Sequence, residues 1–254
     1  FYLQRQGVLP TANAVNVDIG GGTSDLMFFA QSQRLYFNTS FRFAANDIWG
    51  GGLDETGAPS GRLDNGFVSN FLTYRSNNPS SHKTGADQTL DAFLDPKRRM
   101  SPEDVVSLLF KYDDHFQFTK AIQNQQPALL VVLYLHYASI IYHLVQLIES
   151  QEKQGGTTLD LPRFLTFTGR GSQYLNLLGT RGDLVDYTKR LFAAYTTKPV
   201  PTNFQILLTD NPKETTANGA VLYQTATDRD QYRGNQTTAY WGNEAEHPVT
   251  FTYN

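Results

Sequence analysis

The sequence predicts an α/β fold: a mixed five-stranded sheet, a three-strand antiparallel meander extended by parallel strands, with helices packed on both faces. Three observations predict it. The chain opens with three short apolar runs separated by turn residues. Its middle carries long helical runs with recognisable start signals. Its last third alternates strand, helix, strand, helix, the order that lays strands parallel with helical crossovers.

Ala14–Ile19 reads as a short buried strand and Asp25–Ala30 as its partner, with Gly20-Gly21-Gly22 turning between them. Gln31-Ser32-Gln33 is a second turn, and Arg34–Phe43 alternates as a third strand. From Trp49 to Ser101, Gly, Asn, Ser, Asp and Pro cluster with little periodicity, so an irregular inserted subdomain is expected there. Ser101-Pro102-Glu103-Asp104 opens a helix to about Tyr112: serine caps it, proline fits its first turn, and acids suit its positive end. More helix is expected over Asp114–Gln125, and a long apolar helix from Pro127 to about Gln151, ended by Gly155-Gly156. Arg163–Thr168 is a strand entering Gly169-Arg170-Gly171-Ser172, then a short helix, then a helix over Asp183–Tyr195. Phe204–Leu208 is the last strand and Pro212–Gln224 the last helix, and the polar, aromatic tail from 226 suggests no element. The expected core is thus 1–48 with 126–225, and the insertion about 49–125.

Composition narrows the function classes. Hydrophobic content of 40% and charged content of 18% are those of a folded domain. A net charge of −3 with scattered Lys and Arg argues against a nucleic-acid partner. The chain has no cysteine, which removes disulfides, thiolate metal sites and a cysteine nucleophile and fits a reducing, cytoplasmic setting. No signal peptide is visible, and the opening F-Y-L-Q-R-Q-G reads as the interior of a longer chain. Ala128–Ile148 has no Asp, Glu, Lys or Arg and is long enough to span a bilayer. It also holds His136, Ser139, His143 and Gln146 and has no basic flank, so a buried core helix is the expectation and a membrane is not.

Three segments carry possible chemistry. In Asp18–Asp25 (D-I-G-G-G-T-S-D), a glycine run between strands lets the backbone approach a ligand, and successive N–H groups form a concave nest suited to phosphate. Gly20, Gly21 and Gly22 supply the nest, and Thr23 and Ser24 add hydroxyls. Asp18 is a candidate Mg²⁺ ligand through water, and Asp25 either serves the metal or locks the turn. By itself the loop reads equally as a plain glycine hairpin. In Phe167–Ser172 (F-T-G-R-G-S), Gly169 and Gly171 let a flat ring approach the backbone, Arg170 can stack on a purine, and Ser172 can cap the helix. A strand-to-helix turn with a surface arginine is the plainer reading. In Asp210–Ala220, Ala217, Gly219 and Ala220 allow close packing against a helix or a nucleotide.

Other candidates read as structural. His136 and His143 are seven residues apart, where helical zinc pairs use a spacing of about four. Asp113-Asp114-His115 reads as a solvated helix start and Lys97-Arg98-Arg99 as a surface loop.

Taken in order, these pieces resemble the second, C-terminal lobe of the actin, DnaK-type (Hsp70-like) chaperone and sugar-kinase ATPase superfamily. Asp18–Asp25 matches its second phosphate motif, D-x-G-G-G-T-x-D. Thr168–Ser172 matches its adenosine motif, usually T-G-G-G-S, with Arg170 in place of the middle glycine. Ala217–Ala220 matches the closing A-x-G-A, and Ala44-Ala45-Asn46-Asp47 matches a Gly-Gly-x-Asp segment without its glycine pair. The resemblance implies a ribonuclease-H-like sheet and Mg·ATP as ligand. It implies that Asp18 and Asp25 serve the metal, that Gly20, Gly21, Gly22, Thr23 and Ser24 hold phosphates, and that Gly169, Arg170, Gly171 and Ser172 face the adenosine. It also implies a first lobe upstream of Phe1 as the partner that completes the cleft. This chain alone is then expected to bind nucleotide weakly and not to turn it over. A scaffold or self-assembly module that has lost turnover, and a small-molecule kinase lobe, are the alternatives.

Overall fold

A computed structural model describes residues 13–29, 35–49, 66–79, 84–95, 98, 100, 102–125, 127–155, 158–209, 214, 215, 218, 221 and 238–240. The chain divides into two units: Phe1–Phe43 with Tyr137–Ser172 and Thr180–Asn254, and Ala44–His136 with Gln173–Gly179.

The first unit is built on a six-stranded sheet. Strands β1 (Ala14–Ile19), β2 (Ser24–Phe29) and β3 (Leu35–Phe41) form the meander; β4 (Phe164–Thr168), β5 (Gln205–Leu208) and β6 (Thr238–Tyr240) complete the order β5-β4-β1-β2-β3-β6. β2 runs antiparallel to β1 and β3, while β4 is parallel to β1 and β5 to β4. The order of the five expected strands, 3-2-1-4-5 with only the second reversed, is the ribonuclease-H-like arrangement. The sixth strand comes from the tail, where the sequence suggested no element, and lies parallel to β3.

Burial alternates along β1 and β2 as the two-residue period of a strand requires. Val15, Val17, Ile19, Leu26, Phe28 and Phe37 are buried, and the Phe28 and Phe37 rings stack at 5.1 Å. Register places Leu165 and Phe167 of β4 beside Val15 and Val17, on the same face. The long helix Pro127–Gly155 (α7) covers that face from Tyr137 onward: Tyr137 packs on Phe167 and His143 on Phe41. Ile140, Ile141, Leu144, Val145 and Ile148 are buried along it. Helix Arg181–Tyr195 (α8) joins the same layer, with the Tyr137 hydroxyl 2.5 Å from Thr188 Oγ1. Its start is a capping box: Thr180 Oγ1 accepts from Asp183 N, and Asp183 accepts from Thr180 N.

The second unit is helical: α1 (Ala45–Trp49), α2 (Gly66–Asn77), α3 (Gly85–Phe93), α4 (Pro102–Lys111), α5 (Asp113–Phe116), α6 (Phe118–Gln125) and the start of α7. α2 and α3 lie in the stretch expected to be irregular. They form because partners at its edge or outside it complete them: Phe67 and Phe71 of α2 pack edge-on against Trp49, Phe116 and Phe118, and Asp87 of α3 bonds His115. The expected helix over 114–125 is broken at Gln117, which takes a left-handed conformation with φ 52. That turn separates α5 from α6 and lets Asp113 cap α6 by accepting from Thr119 N at 2.9 Å. Of the expected last helix, Glu214, Thr215, Asn218 and Val221 are helical, and Ala217, Gly219 and Ala220 lie outside the described residues.

Candidate functional site

The candidate site lies in the first unit, where β1 and β4 both end. Strands alternate their side chains, and register partners share a face. The face opposite Val15 and Val17 therefore carries Asn16, Asp18, Asp25, Met27, Asn38, Ser40, Thr166 and Thr168. It is the polar face of the sheet. Thr166 Oγ1 donates to Asn16 Oδ1 at 2.7 Å, and Asn16 Nδ2 donates to Thr168 Oγ1 at 3.3 Å.

Asp18 and Asp25 are direct partners across β1 and β2, and Thr168 flanks Asp18 from β4. Between the acids the chain turns tightly: Gly20 N donates to Thr23 O at 2.9 Å. Gly21, Gly22 and Thr23 are exposed, and a side chain added at Gly22 would meet no atom within 4 Å. The tip of the turn is thus open. Ser24 is buried, and its hydroxyl donates to Phe43 O at 2.7 Å, which fixes the base of β2 rather than reaching the tip.

The F-T-G-R-G-S segment packs directly on this hairpin. Gly169 has φ 78, a conformation that favours glycine. The place of a Cβ at Gly169 is taken by Asp18 Oδ1 and Ile19 O. A Cβ at Gly171 would lie 2.6 Å from Gly20 O and 2.7 Å from Ile19 O. What lies against these two glycines is the end of β1. Ser172 donates through N and Oγ to Gly169 O, at 3.1 and 2.8 Å, and starts the 3-10 helix Arg170–Leu178. Arg170 between the glycines is exposed.

The donor chemistry fits Mg²⁺. Two carboxylates in register supply hard oxygen ligands, and Mg²⁺ takes one or two such groups while keeping several waters. Among the described residues no group of three or more His, Asp or Glu is placed to hold a metal. His136 is tied to the Tyr174 hydroxyl at 2.9 Å, and burial, opposed by the Ala44 backbone and Asp47, pushes it down to about 4. His143 lies against the Phe41 ring. Ala44-Ala45-Asn46-Asp47 opens α1, with Asp47 Oδ2 accepting from Ala44 N at 2.8 Å.

The second unit contains a polar cluster that sequence reasoning missed. Asp87, only 2% exposed, accepts from Arg75 Nη2 at 2.9 Å, from Thr84 N and Oγ1 at 2.9 Å, and bonds His115 Nε2 at 2.8 Å. Burial by itself would raise this carboxyl; the Thr84 backbone and hydroxyl and His115 outweigh it and hold it at about 2. Beside it a cavity of about 210 Å³ is lined by Phe71, Tyr74, Arg75, Asn78, His115 and Phe116. The T-x-x-D capping signature was the one local signal available. The arrangement joins α2, α3 and α5, with Arg75 on Asp87 Oδ1 and Thr84 and His115 on Oδ2.

Fold and site together define a ribonuclease-H-like α/β chain with an acidic glycine hairpin at the sheet's end. Among solved structures, an activator of the 2-hydroxyisocaproyl-CoA dehydratase from Clostridium difficile, with bound ADPNP, is similar at 12% identity and a TM-score of 0.29. The match covers 87% of this chain and 63% of that one, so the chain spans less than two thirds of its length. No protein-family model and no curated protein matches the sequence.

Proposed function

We propose that the first unit is one wall of a Mg·ATP site, and that in the full-length protein the nucleotide draws this lobe and a second one together. One observation carries the reading. Asp18–Asp25 and Phe167–Ser172, far apart in sequence, meet at the same end of the sheet with glycine backbone against backbone. In this reading Gly21, Gly22 and Thr23 offer N–H and hydroxyl donors to the β- and γ-phosphates, while Gly20, whose N–H closes the turn on Thr23 O, shapes the loop and Ser24 braces the hairpin's base. Asp18 and Asp25 hold the metal through water, and Arg170 stacks on the adenine. The bound Mg²⁺ would neutralise phosphate charge. Groups from the second lobe would position the attacking water, so turnover belongs to the two-lobed protein and lobe closure is what partners read.

Calorimetry of the full-length protein with Mg·ATP tests the reading. Asp18→Ala is expected to weaken binding about tenfold or more, the loss of charged hydrogen bonds to the metal's waters. Equal affinities of the two proteins would remove the assignment. Phosphate release by the same sample then separates an ATPase from a scaffold that binds without turnover.

A further inference from the structure

Gly169 and Ser172 are separated in sequence from Asp18 by the whole insertion, yet they reach it through one short path. Ser172 closes a turn on Gly169 O with two hydrogen bonds. That turn holds Gly169 at φ 78. The bare Cα of Gly169 then lies where Asp18 Oδ1 and Ile19 O leave no room for a side chain. Gly171 repeats the fit one step on, against Ile19 O, Gly20 O and Ile19 Cγ2. From the other side, Asp18 is confined by register opposite Asp25.

We infer that Gly169, held by Ser172, is a positioning residue for the Asp18 carboxylate: its missing side chain sets where that oxygen stands, and so how the metal is held. The inference rests on the nucleotide reading above. It gives the second glycine motif a task other than receiving the adenine ring. Oxygen ligands bind Mg²⁺ in near-ideal octahedral geometry, directly or through its waters, so a displaced carboxylate loses the metal before it loses the phosphates. Supporting contacts of this kind typically change metal affinity about 10- to 100-fold.

The test compares ATP affinity of the full-length protein in excess Mg²⁺ and in EDTA, for wild type, Asp18→Asn, Gly169→Ala, Gly171→Ala and Ser172→Ala. The ratio of the two affinities isolates the metal's contribution. Gly169→Ala is expected to lower that ratio about 10- to 100-fold, matching Asp18→Asn. Gly171→Ala, where no positive φ is involved, separates crowding from backbone strain and is expected to act in the same direction. Ser172→Ala removes a hydroxyl without adding bulk, so it reports even if the glycine variants fail to fold, and a smaller fall in the ratio is expected. If Asp18→Asn lowers the ratio and the other variants keep it, the positioning role is overturned and the nucleotide site stands. Equal losses with and without metal would make the three residues structural only, which also overturns it. If wild type shows no metal-dependent binding, or Asp18→Asn retains it, the nucleotide reading falls and this inference with it.

Discussion

Asp18 and Asp25 stand directly opposite each other on β1 and β2, two carboxylates on one face of the sheet with no residue between them. Like charges so placed repel, and cross-strand pairs of this type shift stability by about 0.2–1 kcal/mol. Asp25→Asn is therefore expected to stabilise the metal-free protein by about that amount. Adding millimolar Mg²⁺ should close the gap, because a bound cation relieves the repulsion in the wild type. Urea unfolding in EDTA and in Mg²⁺ measures both effects, and an unchanged midpoint in EDTA would show that the pair carries no repulsion.

The Asp87 cluster makes a pH prediction. Its carboxyl is depressed from 3.8 to about 2 in the folded state. A depressed pKa means the ionised form is favoured by folding, so the contribution is full above about pH 4 and lost as pH falls towards 2. Its size is about 2 kcal/mol. Asp87→Asn keeps the shape, removes the charge that Arg75 and His115 address, and is expected to cost about 2 kcal/mol near neutral pH. Denaturant unfolding of both proteins from pH 7 to pH 2 should show two curves that converge at the acid end. Parallel curves would contradict the assignment.

Tyr137 and Thr188 form a buried pair with an internal asymmetry. Thr188 Oγ1 donates to Leu184 O at 2.7 Å, so its contact with the Tyr137 hydroxyl is one in which tyrosine donates. Burial pushes the Tyr137 hydroxyl well above its ordinary range. Tyr137→Phe removes one donor and leaves Thr188 bonded, a cost of about 1 kcal/mol. Thr188→Val strands a fully buried hydroxyl and is expected to cost more, about 1–3 kcal/mol. Thermal unfolding of the two variants gives the order, and the reverse order would mean that a different partner satisfies Tyr137.

Helix α7 passes a length-and-hydropathy test for a membrane span over Pro127–Gln154, and 44% of its most apolar window is buried. We propose that it is a core helix. Leu144 is fully buried, and Leu135 is 63% exposed. Leu144→Asp should abolish folding, a charge buried without a partner. Leu135→Asp should leave purification without detergent and thermal stability unchanged. A bilayer-spanning helix would tolerate neither substitution, so loss of the Leu135→Asp protein would overturn the core-helix reading.

Much of the first unit was legible as text. Two short, largely apolar segments on either side of a glycine turn announced β1 and β2, and the strand-to-glycine junction at Thr168 announced the end of β4. These signals are local: a two-residue period and a turn need only neighbours along the chain. α2 and α3 were not legible. Their sequences are rich in Ser, Asn, Asp and Gly, and they are completed by Trp49, Phe116, Phe118 and His115 from other segments. The left-handed break at Gln117 and the strand Thr238–Tyr240 escaped for the same reason, since neither carries a glycine or an apolar run of its own.

The acidic glycine hairpin shows the division most clearly. Residue types and spacing were enough to mark Asp18–Asp25 as a turn between two strands with carboxylates at its ends. That the two acids are neighbours on one face of the sheet follows from register, which is a property of two strands. That Gly169 leaves room for Asp18 follows from the parallel pairing of β1 with β4, which joins residues on either side of the whole helical insertion. Periodicity along one strand says which side chains share a face. Which face meets which neighbour is set by long-range packing, and no window of sequence contains it.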